Sequence, residues 1–374
     1  MPEYLFRDRH WPIDVAATNG SYLINKAGKK YLDFKTGWGV GNCGWNNKAL
    51  NSAIKHFKGP TYVMPTYYYE QWETLAKKIV SLMPGSNYSC FRATGGTEAV
   101  EIALKISKAY NKRKKFIAFD NAYHGQSLAC MALVGLHEDK FGPYPNDYLR
   151  LKAGDWEKTT RQAVEAIQSR EFCAFISEPI ITNLGAIVPP VSFFKEVKNA
   201  CEETGTIFIM DEVVTGFGRT GKWFGFEHFG IEPDIITIAK GFSSGYAAIG
   251  ATIAGAKIAE SMRFDFSNYS TFGWHPLSTE AALAAISYSQ KKALVKKSGT
   301  MGKYLAKKLS GFCKPEGKGL CIGFETKNPQ IKRACLKDGL IIGEIENRVV
   351  LFPPLEIQKK EIDKAAGIIR KNFY

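Results

Sequence analysis

The 374-residue sequence has no uninterrupted apolar run approaching the ~18 residues that cross a bilayer. It has eight cysteines but no C-x-x-C pair, which removes support for the common zinc and dithiol redox motifs. It has no G-K-[ST] triplet, so a Walker-type nucleotide loop is excluded. Its six histidines show no ligand spacing, and no metal ion is expected. Internal repeats and low-complexity segments are absent. The opening MPEYLFRDRHWPIDV is too charged to act as a signal peptide. Scattered cysteines without an export signal point to a reducing cytoplasm and to free, mostly buried thiols.

What remains is ordinary globular material, 45% hydrophobic and 23% charged. The net charge of +14 is lopsided, because from Lys291 onward 19 basic residues face 8 acidic ones. Within YLAKKLSGF and IDKAAGIIRKNF, however, the lysines are interspersed with apolar residues, the pattern of a solvated helix face. Attraction of acidic small molecules, or solubility, explains this charge better than nucleic acid does. Neither a nucleic acid nor a membrane is expected as a partner.

Residues 20–34 alternate around an Ala-Gly turn and predict a β-hairpin. The Gly-rich 36–45 predicts a loop, and 70–82 predicts a helix closed by Pro84-Gly85. From about 88 to 255, six short apolar runs (SCFRAT, KFIAFDN, CAFISEP, TIFIMDEV, DIITIAKG and GATIAG) are interleaved with helical segments at 97–110, 157–169 and 192–204. That alternation predicts an α/β fold with a mostly parallel sheet covered on both faces. Residues 277–310 predict helix, and the end predicts a smaller α+β unit.

Three features carry chemistry. Thr94-Gly95-Gly96-Thr97-Glu98-Ala99 follows a strand and opens a helix, so free N–H groups, close backbone approach and a hydroxyl converge as a cradle for an anion. Asp211-Glu212 ends the strand TIFIM, at the edge of the sheet that faces a ligand crevice. Lys240 follows DIITIA and is ringed by Gly241, Ser243, Ser244 and Gly245. Alone, each has an ordinary structural explanation: a Gly-rich turn, a helix cap or loop salt bridge, an exposed lysine. Together they supply a phosphate cradle, an amine and a carboxylate for a ring nitrogen, which is what pyridoxal 5′-phosphate requires.

The sequence resembles the class III, or omega, aminotransferases that depend on pyridoxal phosphate and share the aspartate-aminotransferase fold type I. The likeness runs from about 20 to 370. DEVVTGFGRTG (211–221) carries its most specific stretch, with Glu227-His228-Phe229-Gly230, Pro233-Asp234 and Ala239-Lys240-Gly241 behind it. TGGTEAVEIALK (94–105), Ala122-Tyr123-His124-Gly125, Glu178-Pro179 and Pro353-Pro354-Leu355 match further signatures. The resemblance implies a seven-stranded-type sheet in a large cofactor-binding domain (46–285). A first segment (1–45) joins a smaller C-terminal domain (286–374). It implies that Lys240 is the Schiff-base lysine and proton carrier, and that Asp211 pairs with the ring nitrogen. Gly95, Gly96 and Thr97 hold the phosphate. Tyr123 and Val213 flank the ring, His124 supports the stack, and Glu178 belongs to the cofactor site. Thr271 reaches a phosphate bound by the partner subunit, so a homodimer with shared active sites is implied. The reaction implied is ping-pong transfer of an amino group from a primary amine or omega-amino acid to a keto acid.

Several positions depart from the family pattern. Val214 stands where Gln is usual. Gln126 and Val350 stand where acetylornithine-type members carry arginines that grip an α-carboxylate. Arg348 sits two residues from Val350 and is the candidate replacement, although a solvent-facing arginine fits equally. Trp38-Gly39 and Asn183-Leu184-Gly185 resemble glutamate-1-semialdehyde aminomutase, which marks Trp38 as a substrate-site candidate. An aminomutase-like or epimerase-like reaction is therefore the alternative. Only about 20 residues precede the hairpin, where relatives carry a longer arm, so a wider substrate entrance is expected.

Overall fold

A computed structural model describes residues 13–85, 87–263 and 265–374. Most of the stretch judged against an export signal lies outside the described residues. Three strands come first, β1 (Val15–Asn19), β2 (Tyr22–Asn25) and β3 (Lys30–Asp33). β2 and β3 are the expected hairpin, with Tyr22 opposite Leu32.

The central sheet follows, from β4 (Tyr88–Ala93), β5 (Lys115–Phe119), β6 (Tyr148–Leu151), β7 (Phe172–Ser177), β8 (Ile207–Asp211), β9 (Ile235–Ile238) and β10 (Gly250–Gly255). These seven lie in the order β4-β10-β9-β8-β7-β5-β6. All neighbours from β6 to β9 run parallel, whereas β10 is antiparallel to both β9 and β4. β8 and β9 are buried along their whole length, as strands covered on both faces must be. The main core surrounds this sheet, and Phe175 and Phe208 of its strands meet Phe193 and Phe194 of the helix Val191–Thr204 edge-on.

The last strands are β11 (Glu316–Lys318), β12 (Cys321–Glu325), β13 (Leu340–Ile341), β14 (Gly343–Ile345) and β15 (Arg348–Leu351). β13 returns to pair in parallel with β3, so the early and late segments share a sheet. They also share a second core, in which Leu32 and Phe34 pack with Leu305, Phe324, Leu351 and Ile362.

Two stretches differ from the sequence reading. Thr36–Gly39, expected as plain loop, forms a helix-like turn with left-handed Gly37 and Trp38 (φ 64° and 59°). Residues 277–310 are two helices, Pro276–Lys291 and Leu294–Leu309, separated where Ala293 turns left-handed at φ 50°. No Gly or Pro marks the break at Ala293, so the sequence alone reads them as continuous.

Arg219, fully buried on the loop after β8, ties distant segments together. Its guanidinium donates to the Leu320 carbonyl at 3.1 Å, to the Pro353 carbonyl and to Asn42 Oδ1 at 2.6 Å. These acceptors are all neutral, and burial pushes its pKa down to about 10.

Candidate active site

The carboxyl ends of β7, β8 and β9 meet the start of the helix Gly96–Asn111 around a cavity of ≈ 150 Å³. Strand ends of an open α/β sheet expose side chains to such a crevice, because the chain leaves the hydrogen-bonded ladder there.

The helix start forms one wall. Its first-turn N–H groups have no carbonyl acceptors within the helix, and its dipole favours an anion. The turn is pinned by Glu98, whose Oε2 accepts from the Thr94 backbone N–H at 2.7 Å and from the Thr94 hydroxyl at 2.5 Å. A Cβ on Gly96 would lie 3.1 Å from Val213 Cγ1, a tight approach that glycine avoids. Gly125, at φ +138°, would bring a Cβ within 2.7 Å of Thr97 Oγ1. The cradle is therefore narrow and formed largely of backbone. Gly95 is extended and faces open space, so its conformation does not demand glycine.

Asp211 forms the floor. Its Oδ1 accepts from Val213 N and Thr237 Oγ1, each at 3.0 Å, and its Oδ2 is 2.7 Å from His124 Nδ1. Three partners hold this buried carboxylate in one orientation. The second imidazole nitrogen of His124, Nε2, is buried without a hydrogen-bond partner among the described residues. The imidazole thus engages Asp211 and also lines the cavity. Glu178 lies nearby, with Thr182 donating through its backbone N–H at 3.0 Å and through its hydroxyl. Burial pushes the Glu178 carboxyl up to about 7, and the Asp211 charge adds to the rise; Thr182, His124 and Lys240 oppose it.

Lys240 projects into the same cavity from a left-handed backbone, φ 46°. No hydrogen bond or ion pair holds its amine among the described residues. Burial lowers its pKa, and the Glu178 and Asp211 carboxylates oppose the fall. A lowered pKa and the lack of a tether both make a lysine amine more available as a nucleophile. Tyr123 and Val213 also line the cavity, and the Tyr123 hydroxyl accepts from Gln126 Nε2 at 3.3 Å. Anion cradle, slot, oriented carboxylate and free amine fit a carbonyl cofactor with a phosphate handle.

Glu212, beside Asp211, has a different function. It points away into a buried nest, accepting from the Thr215 hydroxyl at 2.5 Å and from the backbone N–H groups of Gly225 and Phe226 at 2.8 Å each.

Trp38 lines the cavity edge and meets Phe352 edge-on at 5.5 Å. Arg348 lies outside the cavity lining. Its Nε donates to the Gly185 carbonyl at 3.1 Å, and its other nitrogens meet Glu316 at 2.7 Å and Glu325 at 3.2 Å. Thr271 is exposed and does not line the cavity of its own chain. Val214 and Val350 are buried in an apolar cluster beneath Trp38, which accounts for an apolar residue at each place.

Sequence reasoning missed Thr237 and Thr182, and it noted Asn183 only as part of the aminomutase-like Asn183-Leu184-Gly185. Thr237 left a signal, a single hydroxyl inside the apolar run DIITIA. Thr182 and Asn183 sit on a short turn, and nothing local marks Thr182 as the partner of Glu178 four residues away.

Residues 5–373 match the family described as aminotransferase class-III. The chain is 34% identical over 354 residues to the acetylornithine aminotransferase of Archaeoglobus fulgidus, covering 94% of this chain and 92% of that protein. It is 31% identical to the putrescine aminotransferase of Pectobacterium atrosepticum, covering 96% of this chain and 82% of that protein. Among solved structures, a transaminase from the marine bacterium Virgibacillus superposes with a TM-score of 0.93 at 26% identity, over 99% of this chain and 96% of that one. An S-selective transaminase from Bacillus megaterium superposes with a TM-score of 0.90 at 25% identity, over the same shares.

Proposed function

The chain belongs to the class III aminotransferase family, and from that premise we propose that it moves an amino group from a primary amine to a keto acid, with pyridoxal phosphate held in the cavity at Lys240. The observation that carries this reading is the unpartnered Lys240 amine facing the oriented Asp211 carboxylate across a phosphate cradle. When bound, pyridoxal phosphate supplies an aldehyde for imine formation and a pyridine ring that accepts electrons from the reacting carbon.

The residues divide the remaining work. Gly96 and Thr97 bind the phosphate through helix-start N–H groups and the Thr97 hydroxyl. Tyr123 and Val213 restrict the ring to one plane. Asp211 holds a proton at the ring nitrogen, and His124 and Thr237 fix the angle of its carboxylate. Lys240 Nζ takes the proton from the donor carbon and returns it one atom away, a step that its lowered pKa favours. Repeating these movements in reverse on a keto acid gives a ping-pong cycle.

The lining also indicates the donor. Lys240 is its only cation among the described residues, and Gln126 and Val350 replace the arginines of acetylornithine-type members. A buried carboxylate without a charge-assisted partner loses roughly 1.5–3 kcal/mol. The preferred donor is therefore an amine remote from, or lacking, an α-carboxylate.

The active form is a homodimer. Tyr62, Tyr67, Tyr68, Phe266 and Phe272 are exposed, and Phe272 adjoins both Thr271 and, at a ring distance of 6.2 Å, Tyr62. An aromatic surface of this kind is suited to burial against a second copy, with Thr271 entering the partner's cavity. Sedimentation of the holoenzyme as a monomer would contradict it.

The test of the reaction is a side-by-side screen of putrescine, 1-phenylethylamine and N-acetylornithine, each with pyruvate or 2-oxoglutarate. Amination of the keto acid with either of the first two as best donor is expected. N-acetylornithine as best donor would overturn the donor reading, and no amination of any keto acid would overturn the reaction.

A further inference from the structure

A second groove, of ≈ 790 Å³, lies where Thr220–Gly221 meets the helix Leu294–Leu309, strand β11 and the turn at Gly319 that follows it. It shares no lining residue with the catalytic cavity. Its floor is backbone pressed on backbone. A Cβ on Gly221 would lie 2.9 Å from Gly299 Cα, one on Gly302 2.0 Å from the Gly319 carbonyl oxygen, and one on Gly319 2.3 Å from the Thr220 carbonyl carbon. Glycines at these points let three chain segments meet and keep the floor clear of side chains.

The walls are cationic. Lys296, Lys303 and Lys318 all line the groove and are exposed, and none forms an ion pair among the described residues. The lining carboxylate, Glu316, is already engaged by Arg348 at 2.7 Å. Thr220, only 2% exposed, also lines the groove, and its hydroxyl is buried without a partner among the described residues. A buried hydroxyl left unpaired costs free energy that a ligand oxygen can recover. His228 completes the rim, with its Nε2 3.1 Å from the Thr220 carbonyl oxygen.

Three uncompensated lysines, a floor without side chains and an unused hydroxyl together suit a small anion bearing several charged oxygens. We propose that this groove is a binding site for a compact polyanion of the pyrophosphate class, seated among Lys296, Lys303 and Lys318 with the Thr220 hydroxyl as an additional donor. The site joins the loop after β8 to the helix and turn of the second core, so an occupant braces both. A ligand that binds only the folded state raises its stability by mass action.

The state of His228 provides an independent readout. Burial holds its imidazole below the ordinary histidine range, and Lys318 and Lys222 push it further down, against the opposing Thr220 contact. An anion among these lysines cancels their effect and moves the titration upward.

The test uses holoenzyme saturated with cofactor, so that the phosphate cradle is filled, and titrates inorganic pyrophosphate by calorimetry at fixed ionic strength. One saturable site is expected. Single Lys→Ala changes at 296, 303 or 318 should each weaken binding about threefold, and the triple change about thirtyfold. Thr220→Val should weaken it and Thr220→Ser should retain it. Pyrophosphate should shift the His228 ring resonances toward a higher titration midpoint in wild type but not in the triple variant. Absence of saturable binding, affinity unchanged in the triple variant, or an equal His228 shift on adding sodium chloride of matched ionic strength would each overturn the proposal.

Discussion

Nδ1 of His124 lies 2.7 Å from Oδ2 of Asp211, with the imidazole fully shielded from solvent and the carboxylate nearly so. The pair connects the turn after β5 to the end of β8, and it makes the angle of the Asp211 carboxylate depend on a residue 87 positions earlier. Asp211→Asn keeps the shape and removes the charge that, in the proposed function, holds a proton on the ring nitrogen. The rate of proton abstraction from the donor should fall about 10²-fold or more, several kcal/mol of barrier. His124→Leu leaves the charge but removes one of three donors, and a smaller fall of about tenfold is expected. Single-turnover kinetics with the amine distinguishes them; equal losses would show that orientation outweighs charge.

Lys240 should be irreplaceable. Lys240→Ala is expected to abolish turnover while thermal unfolding stays within a few degrees of wild type. Borohydride reduction followed by peptide mapping should place a phosphopyridoxyl group on Lys240 and on no other lysine.

Arg348 should act through the turn it holds. Its Nε grips the Gly185 carbonyl, and Asn183 of the same turn lines the cavity. Arg348→Ala should therefore disturb kcat and KM of both half-reactions together, by about threefold, and Arg348→Lys should not restore them because it lacks the fork that spans Glu316 and Glu325. A rise confined to the keto-acid KM would instead mark direct contact with the acceptor carboxylate.

Glu212 should shape stability against pH. In the unfolded chain its carboxyl loses its proton near the usual 4.5, whereas in the fold burial pushes it up to about 7 despite three donors. Across that window the folded state binds more protons. Raising the pH through it therefore favours unfolding, by up to about 3 kcal/mol. Glu212→Gln should lower Tm below pH 5 by a few degrees and flatten the decline of Tm between pH 4.5 and 7. A slope unchanged in the variant would assign the pH dependence to Glu178 or to another group.

The central sheet was legible because buried parallel strands are written as apolar, β-branched runs closed by glycine or an acidic residue, as in TIFIMDE and DIITIAKG. The cradle was legible because two glycines and a threonine sat between such a run and a helix. The late strands of the second core, β11 to β15, are two to five residues long and carry too few positions for an alternation to register. The left-handed Trp38 and Ala293 are set by tertiary packing that local propensity does not encode. The ion pairs of Arg348 join residues 32 and 23 positions apart, across a sheet whose register no single strand reveals.

The bonds of Arg219 have an implication for synthesis. Its guanidinium takes one acceptor from Asn42, made 177 residues earlier, and two from Leu320 and Pro353, made 101 and 134 residues later. On a ribosome, the loop that follows Asp211 therefore emerges long before two of its three carbonyl and amide acceptors exist. Until Pro353 has left the exit tunnel the cation cannot be buried in its final nest, and the hydrated loop stays open. A chain stopped short of that residue would carry every residue assigned to the cofactor and still lack the clasp that closes the loop beside it.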